Sequence, residues 1–298
     1  VAGFTESFGA GGRDIYVVKL DSGGNVLWTK TIGGSDDDTA VSIIQSSDGG
    51  YAVAGWTYSF GAGGRDMYVV KLDSVGNVLW TKTIGGSDDD GAVSIIQSSD
   101  GGYAVAGRTS SFGAGDYDIY VVKLDSVGNV LWTKTIGGGS VDEAYSIIRS
   151  SDGGYAVAGY TSSFGAGWAD IYVVKLDSGG NVQWIKTIGG GSVDGAFSII
   201  QSSDGGYVVA GFTTSFGAGF VGIFGVISGD IYVVKMDDNG NVCFSKNITN
   251  YSVSSNVGSF SSPSTVAISK SPTVKSISPT VSYGGSVSDV CALAKAPY

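Results

Sequence analysis

The stretch AVSIIQSSDGGYAVAG fills residues 40–55 and returns unchanged at residues 92–107, with edited copies beginning at Ala144 and Ala196. Each copy is two β-type runs joined by Asp-Gly-Gly, a tight-turn signal. Working outward, DIYVVKL begins at Asp14, DMYVVKL at Asp66, DIYVVKL at Asp118 and Asp170, and DIYVVKM at Asp230. The spacing is therefore 52, 52, 52 and 60 residues. A repeat of this size has to be explained before any local feature.

Each unit holds four short runs rich in Val, Ile, Tyr and Trp, exemplified by AVSIIQSS, YAVAGWT, DMYVVKL and NVLWTKTI. Gly and β-branched residues interrupt every window before two helical turns could form, so strands are expected throughout. Four antiparallel strands per unit is the content of a propeller blade. A β-helix coil would need about half this period, and a sandwich has no reason to repeat itself so closely. The near-continuous apolar runs fit sheets covered on both faces. The expected fold is all-β: a single five-bladed β-propeller over residues 1–246, with four-stranded blades of 52 residues. In chain order the strands are A (innermost), B, C and D (outer).

The composite DIYVVKLDSGGNVLWTKTIGGSDDD, followed by SSDGGYAVAGWTYSFGAG, resembles the SBBP-type propeller repeats of secreted and cell-surface bacterial and archaeal proteins. The resemblance covers residues 1–246 and implies a β-propeller. It carries no catalytic residues, and the five VAG strands depart from the seven blades that the family name implies.

The chain opens on VAGFTESFGAG, so its first blade lacks strand A. Opening in mid-repeat reads as a processed mature chain. Residues 247–298 differ in composition, hold all four prolines and are dominated by Ser, Thr and Val. This tail is expected to supply the missing strand from within residues 264–280, where TVAISKS echoes AVSIIQS, either in its own ring or in a neighbour's. A glycosylated stalk is the other reading of the tail, because Asn247 (N-I-T) and Asn250 (N-Y-S) are sequons.

Several function classes fall away. A net charge of −10 with no basic cluster argues against nucleic acid and anionic membranes. No apolar run approaches a membrane span. The absence of His removes Ser-His and Cys-His nucleophile activation, and most acids recur in equivalent positions, so no enzyme is expected.

Differences among the repeats separate scaffold from candidate site. Gly50, Gly102, Gly154 and Gly206 recur where a turn asks for positive φ, and Trp28, Trp80, Trp132 and Trp184 where blade meets blade. Asp38, Asp90, Asp142 and Asp194 are expected to cap turns. The runs Asp36, Asp37, Asp38 and Asp88, Asp89, Asp90 are weak candidates for calcium. Lys19, Lys71, Lys123, Lys175 and Lys235 are expected to pair with the aspartates that open strand C. Variation gathers after Val-Ala-Gly, at Trp56, Arg108, Tyr160 and Phe212, and in the B–C loops at Trp168 and at the insertion carrying Phe220, Ile223 and Phe224. These eight are the candidate partner-binding residues, on the face shared with the D–A loops. Drift after duplication would give the same variation.

The expected function is a non-enzymatic extracellular structural protein that self-associates into a surface layer or filament. The alternative is a glycan-binding adhesin using the aromatic loop face. No cofactor other than calcium is considered. Cys243 and Cys291 point to one disulfide in an oxidising compartment, with buried thiols as the other reading. A bond between them would stabilise by roughly 4 kcal/mol through loop closure. Alkylation of unfolded, unreduced protein should then leave its mass unchanged, whereas two added alkyl groups would show free thiols.

Overall fold

A computed structural model describes residues 1–216, 220–221 and 227–248. Residues Val1–Thr249 form one compact unit; the second unit, Asn250–Tyr298, lies outside the described residues, and with it the expected strand donor. All regular structure described is β.

The first sheet has three strands, β1 (Ala2–Thr5), β2 (Asp14–Leu20) and β3 (Val26–Ile32), as expected for a unit without strand A. The second holds β4 (Asp38–Gln45), β5 (Tyr51–Thr57), β6 (Asp66–Leu72) and β7 (Val78–Ile84). The third holds β8 (Asp90–Gln97), β9 (Tyr103–Thr109), β10 (Asp118–Leu124) and β11 (Val130–Ile136). The fourth holds β12 (Asp142–Arg149), β13 (Tyr155–Thr161), β14 (Asp170–Leu176) and β15 (Val182–Ile188). The fifth holds β16 (Asp194–Gln201), β17 (Tyr207–Thr213), β20 (Asp230–Met236) and β21 (Val242–Ile248), with a two-stranded insertion, β18 (Phe220–Val221) and β19 (Ile227–Ser228), in its B–C loop. Every pairing within a sheet is antiparallel and joins chain neighbours, except β17 with β20, between which the insertion falls. The architecture is that of a propeller-like array of five sheets.

Period-two alternation gives each sheet two different faces, and the core is made where unlike faces meet. Ala52, Ala54, Met67 and Val69 of the second sheet pack on Ala92, Ile95, Tyr103, Val105, Tyr120 and Val122 of the third. The same pattern joins the third sheet to the fourth and the fourth to the fifth. Strand A of each complete sheet lies beside strand A of the next, whereas D strands carry the most exposed positions. The recurring tryptophans sit at these seams as expected: the Trp80 ring meets Tyr103 edge-on, and its Nε1 donates to the carbonyl of Ser126 at 3.3 Å. Buried tyrosine hydroxyls also cross the seams, as from Tyr155 to Ser98 Oγ at 3.1 Å.

Among the described residues, each end sheet is packed against a neighbouring sheet on one face only. In β2, Ile15 and Val17 are buried against the second sheet, while Tyr16 and Val18 are half-buried and Leu20 is 40% exposed. In β20, Tyr232, Val234 and Met236 are buried against the fourth sheet, while Ile231 is 54% exposed; its equivalent Ile171 is 0% exposed.

Two expectations need correction. Positive φ falls on the first glycine of each Gly-Gly, at Gly49 (φ 82), Gly101 (φ 82), Gly153 (φ 86) and Gly205 (φ 90), and not on Gly50 and its equivalents. Gly50 is needed for another reason, since a Cβ there would collide with the Leu72 carbonyl. The strand C lysines do not pair with the aspartates opening that strand, because five residues of extended chain put about 16 Å between them. Lys71, Lys123, Lys175 and Lys235 instead reach Asp48, Asp100, Asp152 and Asp204 of the A–B turns at 2.7–2.8 Å. In the first sheet Lys19 bonds the Tyr51 hydroxyl and lies over its ring, beside a cavity of about 280 Å³ lined by Val17, Leu20, Trp28, Ile43 and Ile44.

Close strand packing also fixes Gly107, where a Cβ would collide with the Gly91 carbonyl. Gly107→Ala should cost about 1–3 kcal/mol from overpacking. The expected readout is a lower urea midpoint with an unchanged slope; an unchanged midpoint would mean that the sheet yields there.

Candidate functional site

The B–C and D–A loops emerge on one edge of the sheets, as expected, and are stitched together. The Asp38 amide donates to the Arg13 carbonyl at 2.6 Å, and the Arg13 amide donates to Asp37 Oδ1 at 2.9 Å. Single parallel bridges, Tyr117 to Val141 and Ala169 to Val193, tie the third and fourth loop pairs.

On this edge the variable strand B residues Trp56, Arg108, Tyr160 and Phe212 occupy equivalent positions opposite strand A. A bulge in strand A displaces one residue per sheet from the pairing: Val41, Val93, Tyr145 and Phe197. An extra residue re-aims its side chain away from the ladder, and here it meets the variable residues. Tyr145 stacks on Tyr160 with ring centroids 5.9 Å apart and meets Phe197 edge-on at 5.6 Å; Phe197 stacks on Phe212 at 5.4 Å. Phe197 is 56% exposed, so the ladder presents apolar ring to solvent.

Charge is added on one side of it. Arg108 pairs with the buried Glu143 and lies 4.5 Å over the Tyr117 ring, and the Tyr145 hydroxyl donates to Glu143 Oε2 at 3.1 Å. Burial, then the Glu143 carboxylate, hold the Tyr145 hydroxyl well above the ordinary tyrosine range. Toward the first sheet the same positions carry cation–ring pairs, Arg65 over Trp56 at 5.3 Å and Arg13 over Phe4 at 4.7 Å. The edge is therefore graded from arginine-aromatic to all-aromatic. Such a surface suits flat, partly apolar ligands such as pyranose rings or aromatic side chains.

Other candidates scatter. Trp168 is 80% exposed in its B–C loop, and among the described residues no ring stacks on it. Phe220 lies in β18, while Ile223 and Phe224 fall outside the described residues. The consecutive acids do not converge as a calcium cage. Asp38 Oδ2 accepts from the Gly34 amide and from Ser59 Oγ, each at 2.7 Å; Asp37 accepts from Arg13, and Asp36 Oδ2 from Ser35 Oγ at 3.2 Å. Asp88, Asp89 and Asp90 repeat this divergence. Among the described residues no group of three or more His, Cys, Asp or Glu is placed to hold a metal. The capping role of Asp38, Asp90, Asp142 and Asp194 is as expected. Asn247 lies in β21 and Cys243 beside it in the same strand; Asn250 and Cys291 are outside the described residues.

Tyr145 and Phe197 were not singled out by the sequence. Their signal was present: AVSII becomes AYSII and then AFSII in repeats that otherwise barely change.

No family model matches the chain. It is 28% identical over 163 residues to the regulatory protein FlaEY of Caulobacter vibrioides, an overlap of 46% of this chain and 17% of that protein's length. Among solved structures it is similar to a Bacteroides caccae protein of unknown function (TM-score 0.41, 12% identity, 83% of this chain and 93% of that one). It is also similar to Sqt1 from Chaetomium thermophilum (TM-score 0.44, 16% identity, 78% and 53% covered) and to an endo-1,5-alpha-L-arabinanase from Thermotoga petrophila (TM-score 0.40, 15% identity, 83% and 73% covered).

Glu143→Gln should remove the charge that Arg108 faces. Because Arg108 keeps partial access to water, the expected loss is about 1–3 kcal/mol, read by chemical denaturation. A loss no greater than that of a surface substitution would mean that the pair is solvated.

Proposed function

We propose that this protein is a non-enzymatic structural unit, five blades of a propeller of the SBBP type left open between the first and the fifth, that associates head to tail outside the cell. The observation that carries this reading is the uncovered pair of end faces. The face left open in the first sheet, Tyr16, Val18 and Leu20, is the kind that strand C presents to the preceding sheet at every internal seam. The face left open in the fifth, Ile231 and Val233, is the kind presented to the following sheet. A second copy placed as the next sheets in the stack would continue an interface the fold already uses.

The magnitudes favour reversible assembly. Covering three or four such side chains is worth roughly 5–10 kcal/mol gross, against an association cost of ~4–15 kcal/mol. A tail strand, in cis or in trans, and a bond between Cys243 and Cys291 would add to it. Like faces do not match, so the contact is heterologous and propagates unless the ring closes on itself. The sequons and the expected pairing of Cys243 with Cys291 support an extracellular setting.

The second reading, a glycan-binding adhesin, is favoured by the exposed ladder of Tyr145, Tyr160, Phe197 and Phe212. Glycan-array binding lost on Phe197→Ala would support it.

Sedimentation velocity of the full chain over a hundredfold concentration range tests the structural reading. The expected result is a mass average that climbs with concentration and falls back for Leu20→Glu and Ile231→Glu alike. A species that remains monomeric at every concentration would contradict head-to-tail association.

A further inference from the structure

Two aspartates meet at every sheet junction on the loop edge. Asp14, Asp66, Asp118 and Asp170 open strand C; Asp38, Asp90, Asp142 and Asp194 open strand A of the following sheet, and all eight are almost wholly buried. The two carboxyl groups of a junction converge on one glycine. A Cβ on Gly33, Gly85, Gly137 or Gly189 would collide with Oδ1 of the first aspartate and Oδ2 of the second.

Their hydrogen bonds are unequal. The strand C member accepts through Oδ2 from a loop amide, Ala62 to Asp66 at 2.9 Å and Ala166 to Asp170 at 2.6 Å. The strand A member accepts two bonds on Oδ2, an amide and a serine hydroxyl: Gly86 and Ser111 to Asp90, both at 2.7 Å, and Gly190 and Ser215 to Asp194, at 2.8 and 2.6 Å. Oδ1 of Asp38, Asp90, Asp142 and Asp194 is buried with no donor, as is Oδ1 of Asp170.

No cation answers these groups. The strand C lysines sit at the far end of the strand on the A–B turns. Arg65 is directed to Asp89 and over Trp56, and Arg13 to Glu6. At the fourth junction the corresponding loop residues are Ala169 and Val193, with no charge at all. A divalent ion wants six to eight oxygens, whereas each junction offers only the two carboxyl groups, and no third acidic ligand joins them among the described residues. Two carboxylates side by side out of water resist joint ionisation, which leaves protonation of one as the remaining compensation.

We propose that at the junctions of Asp66 with Asp90 and of Asp170 with Asp194 the two converging carboxyl groups hold one proton between them, carried by the strand C member, so that these junctions form an alkali-sensitive lock between successive sheets. The proton is placed on the strand C member because Asp66 and Asp170 each accept a single amide bond, whereas the partner accepts two. Around Asp170 and Asp194 the titratable groups on the packed elements are Tyr172 on β14, Asp142 on β12 and Asp230 and Tyr232 on β20, with Thr213 on β17 uncharged. Tyr172 itself is pushed up to about 12, by burial first and then by the charges of Asp142 and Asp118. At Asp66 and Asp90 they are Tyr68 on β6, Asp38 on β4, and Asp118 and Tyr120 on β10, with Asp89 and Arg65 paired in the loops. Burial first raises Asp66 and Asp170; the Ala62 and Ala166 amides oppose this, and the charges of Asp90 and Asp194 add to it. A carboxyl that holds its proton more tightly folded than unfolded stabilises fully below the ordinary aspartate range, near pH ~4, and less as pH rises through the folded value.

Isotope-edited infrared spectroscopy of the full chain carrying labelled aspartate tests this directly. The expected result is a protonated carboxyl band persisting above the ordinary aspartate range and bleaching as the protein unfolds with rising pH. Asp66→Asn with Asp170→Asn, whose amides can replace the donated proton, should remove that band and flatten the fall in melting temperature with pH relative to the parent. Absence of the band in the native parent chain overturns the proposal, whether or not the double variant folds. So does a melting temperature raised by calcium and lowered again by chelation, which would put a cation where the proton is proposed.

Discussion

Everything in this fold depends on the demand that both faces of a four-stranded sheet be covered, and by unlike faces. Strand C shows the logic most plainly: Met67 and Val69 look to the following sheet, while Tyr68 and Val70 look to the preceding one. A sheet with two different apolar faces cannot satisfy itself or an inverted copy. It can be stacked only in one direction, and the repeat supplies the next layer. The direction of the stack is therefore written into the alternation within seven residues.

The same demand explains what may vary. Positions inside the seams are nearly invariant between repeats, because a changed volume would be felt on two sheets at once. The loop edge and the bulge of strand A lie outside these apolar seams, and there Val41 and Val93 give way to Tyr145 and Phe197, whose rings meet across neighbouring sheets. The buried aspartates belong to neither class. They are as constant as the core yet polar, holding loop amides through one oxygen, and at Asp38, Asp90, Asp142, Asp170 and Asp194 the other oxygen has no donor.

Much of this was legible in the sequence. Strand boundaries, sheet membership, the three-stranded first unit and the capping aspartates follow from the repeat, since each depends on local pattern and turn chemistry. Three features did not. A Gly-Gly pair does not reveal which glycine takes the left-handed conformation, because both lack Cβ, and only the fold shows that Gly50 is pressed on a carbonyl while Gly49 turns. The partner of Lys71 lies on a turn 23 residues earlier, reachable only once the A–B hairpin is laid beside strand C. The bulge that frees Tyr145 costs one residue of register, too little to disturb the alternation on which strand assignment rests.

If unlike faces are the organising interaction, the two that no described residue covers, at β2 and β20, are where the proposed association would be read. Amide hydrogen exchange measured across protein concentration reads this most directly. The account predicts that protection of β2 and β20 rises with concentration while β6, β10 and β14, already covered on both faces, do not change. Exchange that is independent of concentration in all five strands, or that slows equally in all of them, would contradict it.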